Sequence, residues 1–440
     1  MKDLEKYFRN IIPDHMLNRG ITVLETYLKP IRILLEQRKI PEEGWNEESI
    51  RLFFKLLSLM DTDKDPIAAR VGEREARMAS PYIAELAQGF CHGIGRSGVI
   101  ATSQPKAPGG SIMYNIANRL ALNAIKKFGV PNANGAIVFP LATGMSIALA
   151  LAAARDITKC KKVVFPRLDH KSPLKAIRLV GLTPVIVEGQ IYGDAVRISP
   201  EIIEKAIDEE TAAILSTTTF FPPREADDIK AIAKIAEEHQ IPHIINNAYG
   251  VQSRSLMKKI QGAIDAGRVD AFIQSIDKNF LAPVGGAIVA SPDKDFLEKI
   301  NQSYAGRGGA APIVQFLAAI LTLGVKGYER LRDEQEENLK LLKELLLKTV
   351  EKYGERILEV ENPVAVAISM TKRDPQKVGA ALYSLRATGP RAPSLKDWGS
   401  CINEYICPYL VLNAAIGVKK SDIIQINEKL EKALQQIKPN

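Results

Sequence analysis

The chain has 440 residues, 46% of them hydrophobic, which is enough for a large core and about two or three domains. No apolar run reaches the roughly 20 residues of a membrane-spanning helix, and the charged N-terminus lacks the apolar centre of a signal peptide. The net charge of +8 suggests an anionic partner. The four cysteines form no CxxC pair and the five histidines no ligand cluster, so the sequence predicts a soluble, cytoplasmic protein with reduced thiols and no metal site.

The predicted elements begin with helices and short connectors over residues 1–70. Residues 89–110 are dense in glycine, serine and proline and predict a loop. From residue 135 onward, short apolar runs alternate with helical patterns, which indicates a mainly parallel sheet with helices on both faces. A charged amphipathic helix over residues 329–352 predicts a bridge to a C-terminal domain. The predicted strands are residues 135–139, 162–165, 184–187, 212–215, 243–245, 271–274 and 287–290.

Charge is distributed unevenly along the chain. Residues 86–155 contain no Asp or Glu, although a quarter of the whole chain is charged. A core segment rich in glycine and alanine has little room for charge, and this accounts for residues 147–154. It does not account for Arg96 and Lys106, which lie in the predicted loop. We therefore expect this loop to bind an anion.

The string GIGRSG at residues 93–98 matches the GxGxxG pattern. A dinucleotide site needs a strand before this pattern and an acidic residue about 20 positions later, and both are missing here. The glycine-rich backbone still suits an anion, because its N–H groups approach closely and arginine can bind phosphate through two hydrogen bonds. The side chains available beside these glycines are Arg96, Ser97, Gln104 and Lys106.

Polar residues follow several of the predicted strands. Thr143 and Gly144 open a helix, whose N-terminus is either a phosphate site or a turn capped by the threonine. Residues 217–224 form either a substrate loop or a plain turn, and Asn246 ends another strand with the same two alternatives. Because ligands bind at the carboxyl ends of strands in open α/β sheets, these positions are site candidates.

Lys278 follows one apolar run and precedes Gly285, Gly286 and a second apolar run. A lysine between buried strands is costly unless it is paired, neutral or covalently modified. A Schiff base removes the charge, and the usual carbonyl partner is pyridoxal phosphate. The alternative is a loop lysine that points to water.

This order of parts resembles the aspartate-aminotransferase type of pyridoxal-phosphate (PLP) enzyme, fold type I. The resemblance implies an α/β fold with a mainly parallel, seven-stranded sheet in a large PLP-binding domain over residues 71–325. An N-terminal helical extension would cover residues 1–70. The bridging helix and a small C-terminal α+β domain would cover residues 326–440.

The same resemblance implies roles for individual residues. Lys278 would bind the cofactor covalently, and His170 would stack on its ring. Asn246 would stand where most of the class has an aspartate, which makes the ring a weaker electron sink and favours elimination over transamination. The cofactor phosphate would contact Thr143, Gly144, Met145 and Ser275.

Longer strings make the resemblance more specific. They are GEREARMA (72–79), HGIGRSG (92–98), QPKA (104–107), ATGMS (142–146), NNAYGVQS (246–253), DKNF (277–280) and PVGG (283–286). With these strings the chain is similar to the O-phosphoseryl-tRNA(Sec) selenium transferases, in register from about residue 72 to residue 327.

That family converts O-phosphoseryl-tRNA(Sec) to selenocysteinyl-tRNA(Sec) with selenophosphate. The resemblance implies that Lys278 removes the α-proton, phosphate leaves the β-carbon and selenium adds. For Arg307, a mobile loop that closes on a ligand and a solvated loop arginine are the two alternatives. The phosphoseryl phosphate and selenophosphate would be bound by Arg74, Arg96, Ser97, Gln104 and Arg307, with Lys106 as a further contact.

The resemblance also implies a homotetramer, a dimer of dimers with active sites at the dimer interfaces, which binds tRNA(Sec) but neither membrane nor DNA. The N-terminal helices would assist assembly and bind tRNA, and Arg391 would lie near the acceptor end. The alternative is that the N-terminal charges are ordinary solvated residues. The tRNA-binding candidates there are Lys2, Lys6, Arg9, Arg19, Lys29 and Arg32.

Two other functions remain open at the level of the sequence. One is a related PLP enzyme, either a cysteine desulfurase or a phosphoseryl-tRNA to cysteinyl-tRNA synthase. A desulfurase needs a reactive cysteine, for which Cys401 and Cys407 are the late candidates. The other is a non-catalytic tRNA-binding protein on a degenerate PLP scaffold, which the presence of Lys278 and Thr143 disfavours.

Overall fold

A computed structural model of the chain describes residues 6–393 and 399–439. Its centre is a seven-stranded sheet with the strand order β1-β9-β8-β7-β6-β2-β3. Two further pairs, β4–β5 and β10–β11, lie outside this sheet. The strands are β1 (Gly135–Phe139), β2 (Lys162–Pro166), β3 (Thr183–Val187), β4 (Gln190–Tyr192), β5 (Ala195–Arg197), β6 (Thr211–Thr217), β7 (His243–Asn246), β8 (Ala271–Ser275), β9 (Ala287–Ser291), β10 (Ala365–Ser369) and β11 (Tyr409–Asn413).

The predicted mainly parallel sheet is confirmed. Strands β3, β2, β6, β7 and β8 pair in parallel, and β9 pairs antiparallel with both β8 and β1. Every residue of β6, β7, β8 and β9 is buried, so both faces of the sheet are covered. The carboxyl ends of β1, β2, β6, β7 and β8 therefore lie along one edge.

Helices surround the sheet and form the N-terminal and C-terminal regions. The predicted loop over residues 89–110 ends earlier than expected, because Pro108 occupies the first turn of a helix, a position where its missing N–H costs nothing. Among the described residues the α-helices are Asp14–Gln37, Glu47–Ser58, Pro81–Leu86, Pro108–Lys127, Thr143–Thr158, Lys171–Leu179, Pro200–Lys205, Ile229–Glu238, Arg254–Ala266, Ile276–Phe280, Lys294–Gln302, Ala311–Glu351, Pro375–Ser384 and Lys420–Gln436, with 3-10 turns at Thr62–Lys64 and Gly250–Gln252.

The C-terminal region has a hydrophobic core of its own. Apolar residues of β10, β11 and the helix Lys420–Gln436 pack there against the second half of the helix Ala311–Glu351. This 41-residue helix therefore joins the core around the large sheet to the smaller core. It crosses the domain boundary that we predict at residue 325.

The long helix is interrupted at Gly324, whose φ of 61° and ψ of −175° are not helical. The N-terminal region docks into this break. The N–H groups of Val325 and Lys326 donate to the carbonyl oxygens of Pro41 and Glu42 at 2.9 and 3.0 Å. A Cβ at position 324 would lie 2.7 Å from the backbone carbon of residue 43, so only glycine fits this approach.

The expectation that no segment matches a membrane span is wrong by length and composition, because the helix Ala311–Glu351 is long and apolar enough to match one. Half of its most apolar window is buried within the protein. Phe316 on this helix packs edge-on against Phe280, with ring centroids 5.4 Å apart. The apolar face of the helix thus contacts the turn that contains Lys278.

Candidate active site

A cavity of about 170 Å³ opens at the carboxyl ends of the parallel strands. Lys278 and five other predicted cofactor residues line it. These five residues come from the ends of four different strands. Aromatic side chains that the sequence analysis did not single out form much of its wall. The lining includes Thr143, Gly144, His170, Ser172, Thr219, Phe220, Phe221, Asn246, Tyr249, Ser275, Asp277 and Lys278.

Lys278 lies on the short helix Ile276–Phe280, directly after β8. Burial lowers the pKa of its amine below the ordinary value, and the neighbouring Asp277 carboxylate opposes this effect. The Nζ atom is 4.3 Å from the centroid of the Tyr249 ring. The lysine therefore faces the cavity with a weakened preference for the charged form, which suits a nucleophile or a base.

The helix Thr143–Thr158 points its N-terminus at the cavity. Its N-cap residue is Ala142, and no side chain caps the first turn, so the alternative of a threonine cap is wrong. Backbone N–H groups at such an end attract an anion. At Gly144 an added Cβ would lie 3.0 Å from the Cβ of Ser172, so glycine permits a close approach of the two helix ends. Met145 is exposed and lies outside the lining.

Asn246 and Asn247 end β7, but only one of their amides is open to a ligand. Asn247 accepts a hydrogen bond from the Thr218 hydroxyl at 2.8 Å and donates to the Gln274 side chain at 3.0 Å. In contrast, the side-chain oxygen of Asn246 is buried without a partner. A buried, unpaired amide oxygen is unfavourable, so Asn246 is the residue that awaits a ligand.

His170 caps the helix Lys171–Leu179, and its Nδ1 accepts from the backbone N–H of Ser172 at 3.3 Å. The proton of the neutral ring is therefore on Nε2. Its pKa is lowered by desolvation and by the positive charges of Lys278 and Arg391. The ring meets Phe220 edge-on at a centroid distance of 6.1 Å, so an aromatic wall flanks the cavity.

Ser275 is the last residue of β8, and its hydroxyl donates to the carboxylate of Asp277. Both residues line the cavity beside Lys278. The carboxylate thus orients the hydroxyl. The same carboxylate partly opposes the lowering of the Lys278 pKa by burial. Ser275 is therefore within the predicted site, but its hydroxyl already donates a hydrogen bond to Asp277.

Arg391, in the C-terminal region, does not line the cofactor cavity but packs against two aromatic residues of its wall. Its guanidinium carbon is 5.2 and 4.7 Å from the ring centroids of Phe220 and Phe221. One terminal nitrogen, Nη1, is buried without a hydrogen-bond partner. The guanidinium therefore presents an unused donor beside the aromatic wall, a position that favours an anionic or carbonyl group.

A second cavity, of about 420 Å³, contains two of the predicted phosphate ligands, Arg74 and Arg307. Arg307 donates through Nη2 to the carbonyl oxygen of His92, whereas its Nε is buried without a partner. Burial and the nearby Arg74 charge both lower the pKa of Arg307. Lys106 forms an ion pair with Glu75 at the wall of this cavity.

The remaining phosphate candidates lie next to this second cavity. Arg96 and Ser97 are exposed in a tight turn, in which the N–H groups of Arg96 and Val99 pair with each other's carbonyl oxygens at 3.2 and 3.1 Å. Gln104 lines a neighbouring groove between two helices. In the described part of the chain, none of the predicted phosphate ligands lines the Lys278 cavity.

Comparison with known proteins decides between the open alternatives. The family model described as O-phosphoseryl-tRNA(Sec) selenium transferase matches residues 60–435. The chain is 46% identical over 432 residues to the enzyme of that name from Methanopyrus kandleri, covering 97% of this chain and 99% of the relative. It also matches the crystal structure of an archaeal O-phosphoseryl-tRNA(Sec) selenium transferase with a TM-score of 0.93 and 46% identity, covering 96% and 98% of the two chains.

The chain belongs to the O-phosphoseryl-tRNA(Sec) selenium transferase family. The crystal structure of Oryza sativa TDC with PLP shares the fold, with a TM-score of 0.59, 13% identity and coverage of 98% and 99%. Fold type I is thereby confirmed, and pyridoxal phosphate is the cofactor of this fold. The uncapped helix at Thr143, the unpaired Asn246 oxygen and the partly buried Lys278 amine with its lowered pKa fit that cofactor.

The two late cysteines differ from the reactive thiol that a desulfurase needs. Cys401 is fully buried, and burial raises the pKa of its thiol to about 12. Its sulfur accepts a hydrogen bond from the backbone N–H of Asp169 at 3.2 Å. Burial also raises the pKa of Cys407. Both thiols are therefore structural, in accord with the selenium transferase family.

Sequence analysis missed several residues of the aromatic wall. Phe220 and Phe221 lie in the segment for which a substrate loop and a plain turn were both open, and their contacts support the ligand-facing alternative. Tyr249 comes three residues after Asn246, which ends a strand. This closeness to a strand end could have marked Tyr249 as a site residue. Of the tRNA candidates, Lys2 lies outside the described residues, whereas Arg32 pairs with Glu25 at 3.1 Å.

Proposed function

We propose that this chain converts O-phosphoseryl-tRNA(Sec) to selenocysteinyl-tRNA(Sec), with selenophosphate as the selenium donor. The observation that carries the proposal is one cavity that contains the partly buried Lys278 amine, an uncapped helix N-terminus and the unpaired Asn246 oxygen. In the net reaction the Cβ–O bond to phosphate breaks and a Cβ–Se bond forms. Water hydrolyses the Se–P bond of the donor, so two phosphates are released.

The residues of the cavity would bind the cofactor and transfer a proton. Backbone N–H groups at Thr143 and Gly144 would hold the cofactor phosphate, and the Asn246 amide would meet the ring nitrogen. When bound, pyridoxal phosphate withdraws electrons from the substrate α-carbon. Lys278, whose pKa is lowered by burial, would accept the α-proton at Nζ. An amide at position 246 cannot keep the ring nitrogen protonated, which suits loss of a good leaving group.

The second cavity would bind the phosphate groups. Arg74 and Arg307 supply its positive charge, and Arg307 retains an unused buried donor. A phosphate would compete with Glu75 for Lys106, because Glu75 and Lys106 form an ion pair. Guanidinium groups bind phosphate through paired hydrogen bonds, so the arginines would be the principal ligands. Arg96, Ser97 and Gln104 would complete the site.

We propose further that each active site combines two chains of a homotetramer. The arginine cavity does not line the Lys278 cavity within the described chain, so a second copy would bring the two together. Large apolar residues are exposed near Arg74, with Ile67 91% and Val71 95% exposed. The helix Asp14–Gln37 buries only three of its 24 residues in one chain. Such apolar surface is characteristic of subunit interfaces.

The tRNA would bind across this assembly. Its aminoacyl end would enter past Arg391, whose unpaired guanidinium nitrogen lies at the aromatic wall of the cavity. Exposed N-terminal cations such as Arg19 and Lys29 would contact phosphates of the RNA body. All four cysteines are unpaired, which supports a reducing, cytoplasmic location.

The direct test is conversion of phosphoseryl-tRNA(Sec) by the purified protein with PLP and selenophosphate. Selenocysteine released from the tRNA after mild alkali would be quantified by mass spectrometry. Seryl-tRNA(Sec) is the matched control, because it lacks only the leaving phosphate, and unacylated tRNA(Sec) is the blank. Equal conversion of the seryl and phosphoseryl substrates, or no conversion of either, would overturn the proposal.

A further inference from the structure

The turn that carries Lys278 is tied to the C-terminal region by one fully buried side chain. Gln252 has no exposed surface, and its Nε2 donates to the backbone carbonyl oxygen of Lys278 at 3.0 Å. Its Oε1 accepts from the backbone N–H of Ile416 at 2.8 Å. The side-chain amide of Gln252 thus joins Lys278 to Ile416, which lies 138 residues later in the chain.

Asn279 reinforces this connection from the other side. Its Oδ1 accepts from the backbone N–H of Gln252 at 3.2 Å. Its Nδ2 donates to the carbonyl oxygens of Ala248 and Ser275 at 2.9 and 2.7 Å. The two amides therefore fix three neighbouring strand-end segments relative to one another, and Lys278 lies in the middle of them.

The C-terminal segment also directly contacts the end of the short helix Ile276–Phe280 that carries Lys278. Gly417 has a φ of 84°, and a Cβ there would lie 2.8 Å from a methyl carbon of Leu281, three residues after Lys278. The Gln252 bond to Ile416 is therefore made where the two segments already touch. This contact places the amide between two main chains that cannot separate without leaving buried groups unpaired.

Only an amide satisfies both ends of this connection. The Lys278 carbonyl needs a donor, and the Ile416 N–H needs an acceptor. A carboxylate at position 252 would supply the acceptor alone, and a leucine would supply neither. A glutamine that served packing alone would not need both of these partners.

We propose that Gln252 is a positioning residue for Lys278, which holds the lysine main chain against the C-terminal segment and so sets the reach of Nζ into the cavity. This inference rests on the proposed role of Lys278 as the lysine that binds the cofactor. Gln252 itself does not touch the substrate or the reacting atoms.

The test compares Gln252→Leu and Gln252→Glu with a matched control, Gln335→Leu. Gln335 is 1% exposed and donates to the carbonyl oxygens of Pro363 and Ala414 at 2.9 and 2.8 Å. It therefore anchors the same C-terminal segment through main-chain carbonyls without a bond to Lys278. Its loss should lower the melting temperature as much as the loss of Gln252.

The measured quantity is the rate constant with which apoprotein binds pyridoxal phosphate covalently, with formation of the Nζ–carbon bond and loss of water. It is followed as borohydride-sensitive absorbance, together with the pH midpoint of that absorbance. Because small misplacements of reacting groups cost up to about a hundredfold in rate, we expect both Gln252 variants to slow binding about tenfold or more. We expect the rate constant of Gln335→Leu to stay within about twofold of that of the unmodified protein, since the bond of Gln252 to Lys278 is intact in this variant.

Equal slowing by Gln252→Leu and Gln335→Leu would overturn the inference, because loosening of the C-terminal segment would then explain both. Unchanged binding in the Gln252 variants would overturn it as well. If Gln252→Leu does not fold, the nearly isosteric Gln252→Glu decides. Absence of lysine-bound cofactor in the unmodified protein would instead refute the role of Lys278, and this outcome is distinct from the other two.

Discussion

The Lys278 cavity and the Arg74–Arg307 cavity are constructed in different ways. The first lies at the ends of fully buried strands, and Gln252 and Asn279 hold its main chain. The second is formed by loops, and the Nε of Arg307 is buried there without a partner. Both cavities therefore contain unpaired polar atoms, but buried strands and side-chain amides fix the main chain of the cofactor cavity, whereas the arginine cavity depends on loops.

This difference indicates which part of the chemistry the fold prepares in advance. A reacting amine must be held within a fraction of an ångström, so its surroundings are rigid. A phosphate group arrives with the substrate and can itself order the loops around it. We expect substitutions in the first cavity to affect the cofactor and those in the second to affect substrate binding.

The largest expected effect comes from Lys278→Ala. Loss of the amine removes both the covalent link to the cofactor and the proposed base, so turnover should fall below detection. The variant should still bind pyridoxal phosphate without a covalent link, through the helix that begins at Thr143. Absorbance spectra before and after borohydride measure this, and a borohydride-sensitive band in the variant would exclude Lys278 as the cofactor lysine.

Arg307→Ala should reduce kcat/KM for phosphoseryl-tRNA by about ten- to a hundredfold, the equivalent of a charged hydrogen bond of roughly 1.5–3 kcal/mol. Arg307→Lys is the matched control, since it keeps the charge but loses the planar pair of donors, and it should recover part of the loss. The lysine-bound cofactor should be unaffected in both variants. Normal kinetics in Arg307→Ala, with an unchanged melting curve, would refute the phosphate-binding role.

A mixture of one inactive and one impaired variant tests whether the two cavities of each active site come from different chains. Lys278→Ala and Arg307→Ala would be unfolded together, refolded and assayed. If each site uses a lysine and an arginine from opposite chains, half of the dimers are mixed and keep one intact site, so about a quarter of the activity returns. Activity no higher than the average of the two separate variants would show that both residues act within one chain.

Charge reversal at Lys6 and Arg9 should weaken tRNA(Sec) binding more modestly. Each lost phosphate contact should reduce the slope of log affinity against log salt by roughly 0.7 to 0.9. Filter binding at several salt concentrations measures the slope, and sedimentation confirms that assembly is intact. An unchanged slope in a correctly assembled protein would remove the N-terminal surface from the docking site.

The smallest effect concerns the stability of the apoprotein. The pKa of Lys278 is lowered in the folded state, so protonating the amine opposes folding below its ordinary pKa of 10.5. Lys278→Met should therefore stabilise the apoprotein at pH 7, by about 1.4 kcal/mol for each pH unit by which the pKa is lowered. Above the ordinary pKa this advantage should vanish. Urea unfolding at pH 7 and at a pH above the ordinary pKa measures the difference in stability between the two proteins. A difference that does not change with pH would contradict the lowered pKa of Lys278.

The sequence predicted the sheet well, because buried strands leave short apolar runs and their ends carry polar residues such as Asn246. It did not predict which of Asn246 and Asn247 is open to a ligand, since this depends on contacts with Thr218 and Gln274. The β4–β5 hairpin was missed because its strands have three residues each. The contact of Arg391 with the aromatic wall was also hidden, since it joins segments about 170 positions apart.

The break in the long helix at Gly324 makes the first part of the chain indispensable to the last. The N–H groups of Val325 and Lys326 are satisfied by Pro41 and Glu42, so a protein shortened to begin at residue 71 would leave both donors without these acceptors. Gly324 would also lose the neighbouring main chain of residues 43–44 that packs against the break in the helix. We therefore expect removal of the N-terminus to shift the C-terminal region relative to Lys278, an effect separate from any on assembly or RNA binding.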